Sequence, residues 1–152
     1  MGYKQGLFKP KQPSKYKGNI HKIKYRSGWE YDMMVMLDLS PLVKVWSSEN
    51  IIVKYWDSIK RRNRSYYTDF YVEWSNGSKM ILEVKPHTKL IKPPLNETKR
   101  LNEHINIFDK ANATVAYCRA LQRRGIDVKF AFVSKINGKY KMIEYDGTNP
   151  TK

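Results

Sequence analysis

The stretch Tyr66–Pro86, YYTDFYVEWSNGSKMILEVKP, decides how the chain is built. Phe70, Val72 and Trp74 alternate with Asp69, Tyr71 and Glu73, and Met80, Leu82 and Val84 alternate with Ile81, Glu83 and Lys85. A period of two is that of β-strands with one apolar face each. Glu83 and Lys85 share the other face of their strand, and Asn76-Gly77 marks a hairpin turn between the two runs.

The length of that turn decides which residues meet, because a one-residue slip moves every side chain to the opposite face. A two-residue Asn76-Gly77 turn pairs Ser75 with Ser78 and sets Asp69 opposite Val84. A three-residue Ser75-Asn76-Gly77 loop, with Gly77 left-handed, pairs Trp74 with Ser78, Phe70 with Leu82 and Val72 with Met80. It also sets Asp69 directly opposite Glu83. The apolar faces agree in this second register, so it is the one expected.

Two facing carboxylates repel unless positive charge lies between them. Hard oxygen ligands suit Mg²⁺ or Mn²⁺, and Lys85 beside them is placed to orient or deprotonate a water. Two acids and a lysine on adjacent strands of a very basic chain point to phosphodiester chemistry.

The chain has 29 Lys and Arg against 14 Asp and Glu, a net charge of +15. That surplus favours a polyanion as partner, nucleic acid before an anionic membrane. A length of 152 residues suits one domain with a proper core, and a 41% hydrophobic, 13% aromatic composition excludes wholesale disorder. No apolar run is long enough to span a bilayer, and neither a signal-peptide core nor a lipidation motif is present, so a soluble, unexported chain is expected. Cys118 is the single cysteine. It allows no disulfide framework and no Cys-based zinc site, and reads as a small buried side chain in a reducing compartment.

Outward from the central stretch, residues 1–25 mix Lys, Gly, Pro and Tyr without periodicity and read as a basic arm that orders only on a partner. Residues 26–147 read as one domain and 148–152 as a polar tail. Ser27 is a helix N-cap, Trp29, Met33, Met36 and Leu37 recur on one helical face, and Pro41 follows the helix end. LVKVWSSENIIVKYWDS reads as one or two strands broken around Ser47–Asn50. NETKRLNEHINIFDKANATVAYCRALQRRG carries Leu101, Ile105, Phe108, Val115 and Leu121 at roughly helical spacing; one kinked helix or two are both open, with Gly125 as the stop. Val128 onward reads as a hairpin turning at Asn137-Gly138. The order of elements gives an α/β domain, a mixed sheet flanked by helices.

Lys60, Arg61, Arg62 and Arg64, with Lys89, Lys92, Lys99 and Arg100, are the candidate phosphate contacts, joined by Arg119, Arg123 and Arg124. Any one of them alone reads as a solvated charge. Glu73 and Glu97 are competing acids, Glu73 near the turn and better suited to solubility. His21, His87 and His104 have no metal-ligand spacing with one another. Tyr66, Tyr67, Tyr71 and Trp74 suit packing on half-buried strands better than stacking on bases.

Asp69 followed by Glu83-Val84-Lys85 resembles the PD-(D/E)xK nuclease signature, with Thr68-Asp69 in place of Pro-Asp. Arg26–Glu30, RSGWE, on the preceding helix is similar to the S-x-x-E helix of TnsA-type transposon endonucleases. Size, the basic opening and the run of elements resemble, over nearly the whole chain, the head-completion nucleases of T-even-type tailed phages. This resemblance implies a restriction-endonuclease-like fold with Asp69, Glu83 and the Val84 carbonyl as ligands of Mg²⁺, for which Mn²⁺ substitutes. It implies Lys85 as the residue that positions or activates water, Glu30 as a further catalytic acid, and products with a 3′-hydroxyl and a 5′-phosphate. It further implies a DNA endonuclease that processes packaged DNA ends before tail attachment. Its partners would be head, portal or neck proteins, and its place the host cytoplasm during assembly or the virion. Helix capping explains Glu30 equally well, since it stands at capping-box spacing from Ser27. A structural neck protein with a vestigial site, and a metal-free DNA-binding module, are the alternatives. The form of the DNA substrate and a homodimeric state stay open.

Overall fold

The structure, a computed structural model, describes residues 5–148, so the first residues of the basic arm and nearly all of the polar tail lie outside the described residues. Strands β1 (Gly6–Leu7) and β2 (Lys24–Tyr25) pair antiparallel, and beside them Phe8 N–H donates to the Ile23 carbonyl at 2.7 Å. Phe8 and Ile23 are buried in the core. The Lys11 and Gln12 amides donate to the buried Asp38 carboxylate at 2.8 and 3.1 Å. Lys15 Nζ donates to the carbonyls of Asp38 and Ser40, covering the end of the first helix. Residues 5–25 are therefore packed on the domain rather than waiting for a partner. Burying each of the two apolar anchors stabilises by about 1.5–3 kcal/mol.

Helix α1 (Gly28–Leu39) starts as its sequence dictates, with the Glu30 N–H donating to Ser27 Oγ at 3.1 Å. It buries Met33, Met34 and Leu37, whereas Met36, expected on the same face, is 47% exposed. Strand β3 (Val43–Ser48) and β4 (Ile52–Asp57) are separate, parted where Glu49 takes a left-handed φ of 53°. Strand β4 pairs with β5 (Arg62–Tyr67) as an independent two-stranded sheet, so the central stretch is divided between two sheets: Tyr66 and Tyr67 end β5, and β6 (Phe70–Trp74) begins after Thr68-Asp69.

Strand β7 (Lys79–Val84) pairs with β6 in the expected register, Phe70 with Leu82 and Val72 with Met80. The Trp74 N–H donates to the Ser78 carbonyl at 2.9 Å, and Gly77 has φ 94°. The three-residue loop is therefore the observed one. Helix α2 (Thr98–Gln122) is a single continuous helix, settling the alternative left by its sequence. Gly125 with φ 86° stands just beyond its end. It crosses over to β8 (Val128–Ile136), parallel to β7, and β9 (Lys139–Glu144) returns antiparallel through Asn137-Gly138, both left-handed. The main sheet has five strands in the order β3-β6-β7-β8-β9.

Both faces of this sheet are covered. Phe70, Val72 and Leu82 pack under α1, while Ile81, Phe130 and Phe132 pack under α2 with Ile107, Ala111, Val115 and Cys118. The face of β7 that carries Glu83 and Lys85 is thus an interior face and not a solvated one.

Candidate active site

Asp69 sits at the seam where the chain leaves the β4–β5 sheet and enters the main sheet. Two backbone contacts fix it: its carbonyl accepts from Glu49 N–H at 3.1 Å, and its Oδ2 accepts from Val84 N–H at 2.8 Å. That side-chain bond carries the β6–β7 register one step past the last ladder pair and brings Asp69 alongside Glu83-Val84. Glu83 is buried, 6% exposed. Its Oε1 accepts from the Tyr66 hydroxyl, and its Oε2 lies 3.5 Å from Lys85 Nζ. The Lys85 N–H donates to the Val133 carbonyl at 3.0 Å, extending the parallel β7–β8 pairing past its last ladder pair and fixing the backbone from which the lysine projects.

The electrostatics follow from this crowding. Loss of water around the Asp69 carboxyl, and then the charges of Glu83 and Glu30, push its pKa well above the carboxylate range, against the Val84 N–H and Lys85. Glu30 is therefore within electrostatic reach of Asp69 from α1. Its own Oε1 accepts from the Arg26 N–H at 2.9 Å, so it also satisfies the helix start.

Among the described residues, no group of three or more His, Cys, Asp and Glu side chains converges to form a complete metal cage. The donor set at hand, two carboxylates and the adjacent Val84 carbonyl, suits Mg²⁺ nonetheless. That ion keeps several waters and takes one or two carboxylates plus substrate phosphate oxygens. The repulsion of Asp69 by Glu83 and Glu30, offset only in part by Lys85 and the Val84 N–H, is what a cation would relieve.

A cavity of about 250 Å³ opens beside Val84, Lys85, Ile107 and Lys110. Asn106 and Glu103 line both it and a wider trough of about 690 Å³ between the β4–β5 turn and the first half of α2, flanked by Lys60, Arg64 and Lys99. Lys60, Arg61, Arg62, Lys92 and Lys99 are exposed. Arg64, by contrast, is bonded to buried Asp57 at 3.0 Å, Lys89 to Glu103 at 2.7 Å and Arg100 to Glu97 at 2.7 Å. Glu73 accepts from the Tyr71 hydroxyl at 2.8 Å, away from Asp69. His104 Nδ1 lies 3.0 Å from the Lys89 carbonyl, to which it donates in its Nδ1–H form, and its ring packs on Phe108. Burial pushes the Cys118 thiol up to about 11, which leaves it a poor nucleophile.

Three participants escaped the sequence. Tyr66 continues the inward face of β5, opposite Val53, and its role is set by long-range packing on Glu83. Lys110 stands on the buried stripe of α2 with Ile107 and Ala111, and a lysine on an apolar stripe was the available signal. Glu49 pairs with Arg26 and so ties the start of α1 to the strand break ahead of Asp69. Its left-handed backbone carries no glycine to announce it.

The five-stranded mixed sheet flanked by helices is the restriction-endonuclease-like architecture of nucleases. The chain belongs to the TnsA-like endonuclease N-terminal family, whose model matches residues 40–133. Asp69, Glu83, Val84 and Lys85 fall inside that match and Glu30 outside it. The chain is also similar to the head completion nuclease of Enterobacteria phage T4, 36% identical over 90 residues. The aligned part spans 59% of each chain, less than the near-complete likeness expected from the sequence. No helix among the described residues is long and apolar enough to cross a membrane.

Proposed function

We propose that this chain is a metal-dependent DNA endonuclease acting in phage head completion. The observation that supports it best is the β6–β7 register, which sets Asp69 alongside Glu83 and Glu83 within 3.5 Å of Lys85. Asp69, Glu83 and the Val84 carbonyl would hold Mg²⁺, with Mn²⁺ as substitute. When bound, the ion supplies a Lewis acid for the phosphoryl oxygens and lowers the pKa of a bound water.

The chain's own residues do the rest. Tyr66 holds one oxygen of Glu83 and leaves the other toward Lys85. Lys85 positions the attacking water and offsets negative charge on the phosphate. Glu30 adds negative charge at Asp69 from α1. Lys60 and Lys99 flank the trough along which a DNA backbone reaches the pair, and Arg61, Arg62, Lys92 and the remaining exposed cations widen the electrostatic footprint. The name of the phage relative supports placing the activity in head completion, as processing of packaged DNA ends beside head, portal or neck proteins.

The test is cleavage of plasmid and linear DNA by the purified chain and by Glu83→Ala, with Mg²⁺, Mn²⁺ or EDTA. Metal-dependent cutting that disappears in Glu83→Ala is expected. DNA binding without cutting under every condition, alone or with purified heads, would instead identify a structural neck protein with a vestigial site.

A further inference from the structure

Lys110 is a cation without an assigned partner. It projects from the middle of α2, is half-buried, and forms no ion pair among the described residues. Its Nζ lies 5.4 Å from the centre of the Tyr66 ring, the same tyrosine whose hydroxyl bonds Glu83. It also lines, with Val84 and Lys85, the cavity of about 250 Å³ that opens just past Glu83 in the chain. An ammonium withdrawn from water and left without a counter-ion is costly, and cores normally fill such a helix position with an aliphatic residue. The local charges pull both ways: Glu83 and Asp69 attract Lys110 without pairing with it, Glu83 being engaged by Lys85 and Tyr66, while Lys85 and Arg64 repel it.

What is missing at that wall of the cavity is an anion that arrives from outside. We infer that Lys110 is a substrate-contacting residue that grips a DNA backbone phosphate in the cavity it lines together with Lys85. The two lysines reach the cavity from different parts of the fold, Lys85 just past the end of β7 and Lys110 from the middle of α2. The Tyr66 ring lies under the Lys110 ammonium and holds it in place, so the grip is pre-set rather than recruited from a mobile surface chain. Burial, against the pull of Glu83, holds the ammonium below the usual lysine range, as expected for a site completed by its ligand.

This inference rests on the nuclease reading for its setting, and its test separates the two. Binding of an uncut duplex oligonucleotide is measured in EDTA across a range of salt for the wild-type chain and Lys110→Met, which keeps the stem and drops the charge. A lost phosphate contact reduces affinity by about tenfold and flattens the log-log salt slope by about one. Thermal stability of Lys110→Met without DNA is expected to equal or exceed that of the wild type. With metal, its cleavage rate is expected to fall by about 10²-fold, as when a charge-stabilising donor is removed.

Unchanged affinity and salt slope in Lys110→Met overturn the inference, whatever the cleavage result. A lowered melting temperature with an unchanged salt slope overturns it as well, in favour of a packing role. Should Lys110→Met fail to fold, Lys110→Arg and Lys110→Gln are compared at a temperature where both are folded; equal affinity of the two overturns it. A wild-type chain that never cuts, yet binds DNA through Lys110, defeats the nuclease reading and leaves this one standing.

Discussion

Asp57 and Asp69 are two carboxylates at the ends of the short β4–β5 sheet, and the protein treats them in opposite ways. Asp57 ends β4, is 1% exposed, and is fully supplied with donors: the amides of Ile59 and Lys60 at 3.0 and 2.9 Å, Arg64 at 3.0 Å and Asn106 at 3.3 Å. Those donors, the Lys60 amide foremost, hold its pKa below the usual range against the opposing pull of burial. Asp69 follows β5, receives Val84 N–H, and faces the charges of Glu83 and Glu30, which with loss of water raise its pKa. An acid whose partners are all internal closes a turn and anchors Arg64. One left short of positive charge keeps its repulsion only partly offset. Burial alone does not separate a structural carboxylate from a functional one; the supply of donors does.

The sharpest way to break this contrast is Asp69→Asn. Cleavage should fall by about 10³-fold or more, as for a residue acting in a catalytic unit. The metal-free melting temperature should hold or rise, because like-charge repulsion is relieved while the amide oxygen still accepts from Val84 N–H. A melting temperature that drops while cutting survives would make Asp69 a second Asp57.

Asp57→Asn should show the reverse, a melting temperature lower by several degrees at neutral pH and a normal rate per folded molecule. The pH dependence has a definite sign. The folded Asp57 pKa is depressed, so its contribution is fully present above the unfolded value near 3.8 and is lost as pH falls through the lower folded value. Wild type and Asp57→Asn should therefore converge in stability in acid below that range, measured by denaturant melts at stepped pH.

Tyr66→Phe asks how much Glu83 depends on being held. Cleavage is expected to fall about tenfold, with about 1 kcal/mol lost from stability in urea melts for one hydrogen bond. An unchanged rate would show that Lys85 alone orients the carboxylate. The smallest effect is expected at Gly77→Ala, where φ 94° disfavours any side chain although no atom stands in its way. A loss of about 1 kcal/mol without loss of site chemistry would show that the β6–β7 register survives a strained turn.

The site was more legible than its surroundings. The register followed from period-two alternation and one glycine, and with it the approach of Asp69 to Glu83. The covering of their face was not legible, because Tyr66 reaches Glu83, and Lys110 reaches the Tyr66 ring, from other elements, and a polar strand face looks alike under water or under a helix. The division of Tyr66–Asp69 between two sheets was hidden because no Gly or Pro interrupts the chain there. Phe8 and Ile23 were overlooked because single apolar residues on either side of a loop have no period. Met36 was misplaced by one step of the helix, and the apolar stripe runs through Met33, Met34 and Leu37 instead.

The parallel pairing of β7 with β8 also sets an order in time. The β6–β7 hairpin closes through a three-residue loop and requires only neighbours in sequence, whereas Lys85 is fixed by the Val133 carbonyl after the whole of α2 has crossed over. Local pairings form fast and crossovers late. On that ordering the approach of Asp69 to Glu83 needs only the hairpin, whereas the backbone position of Lys85 needs the completed β7–β8 pairing.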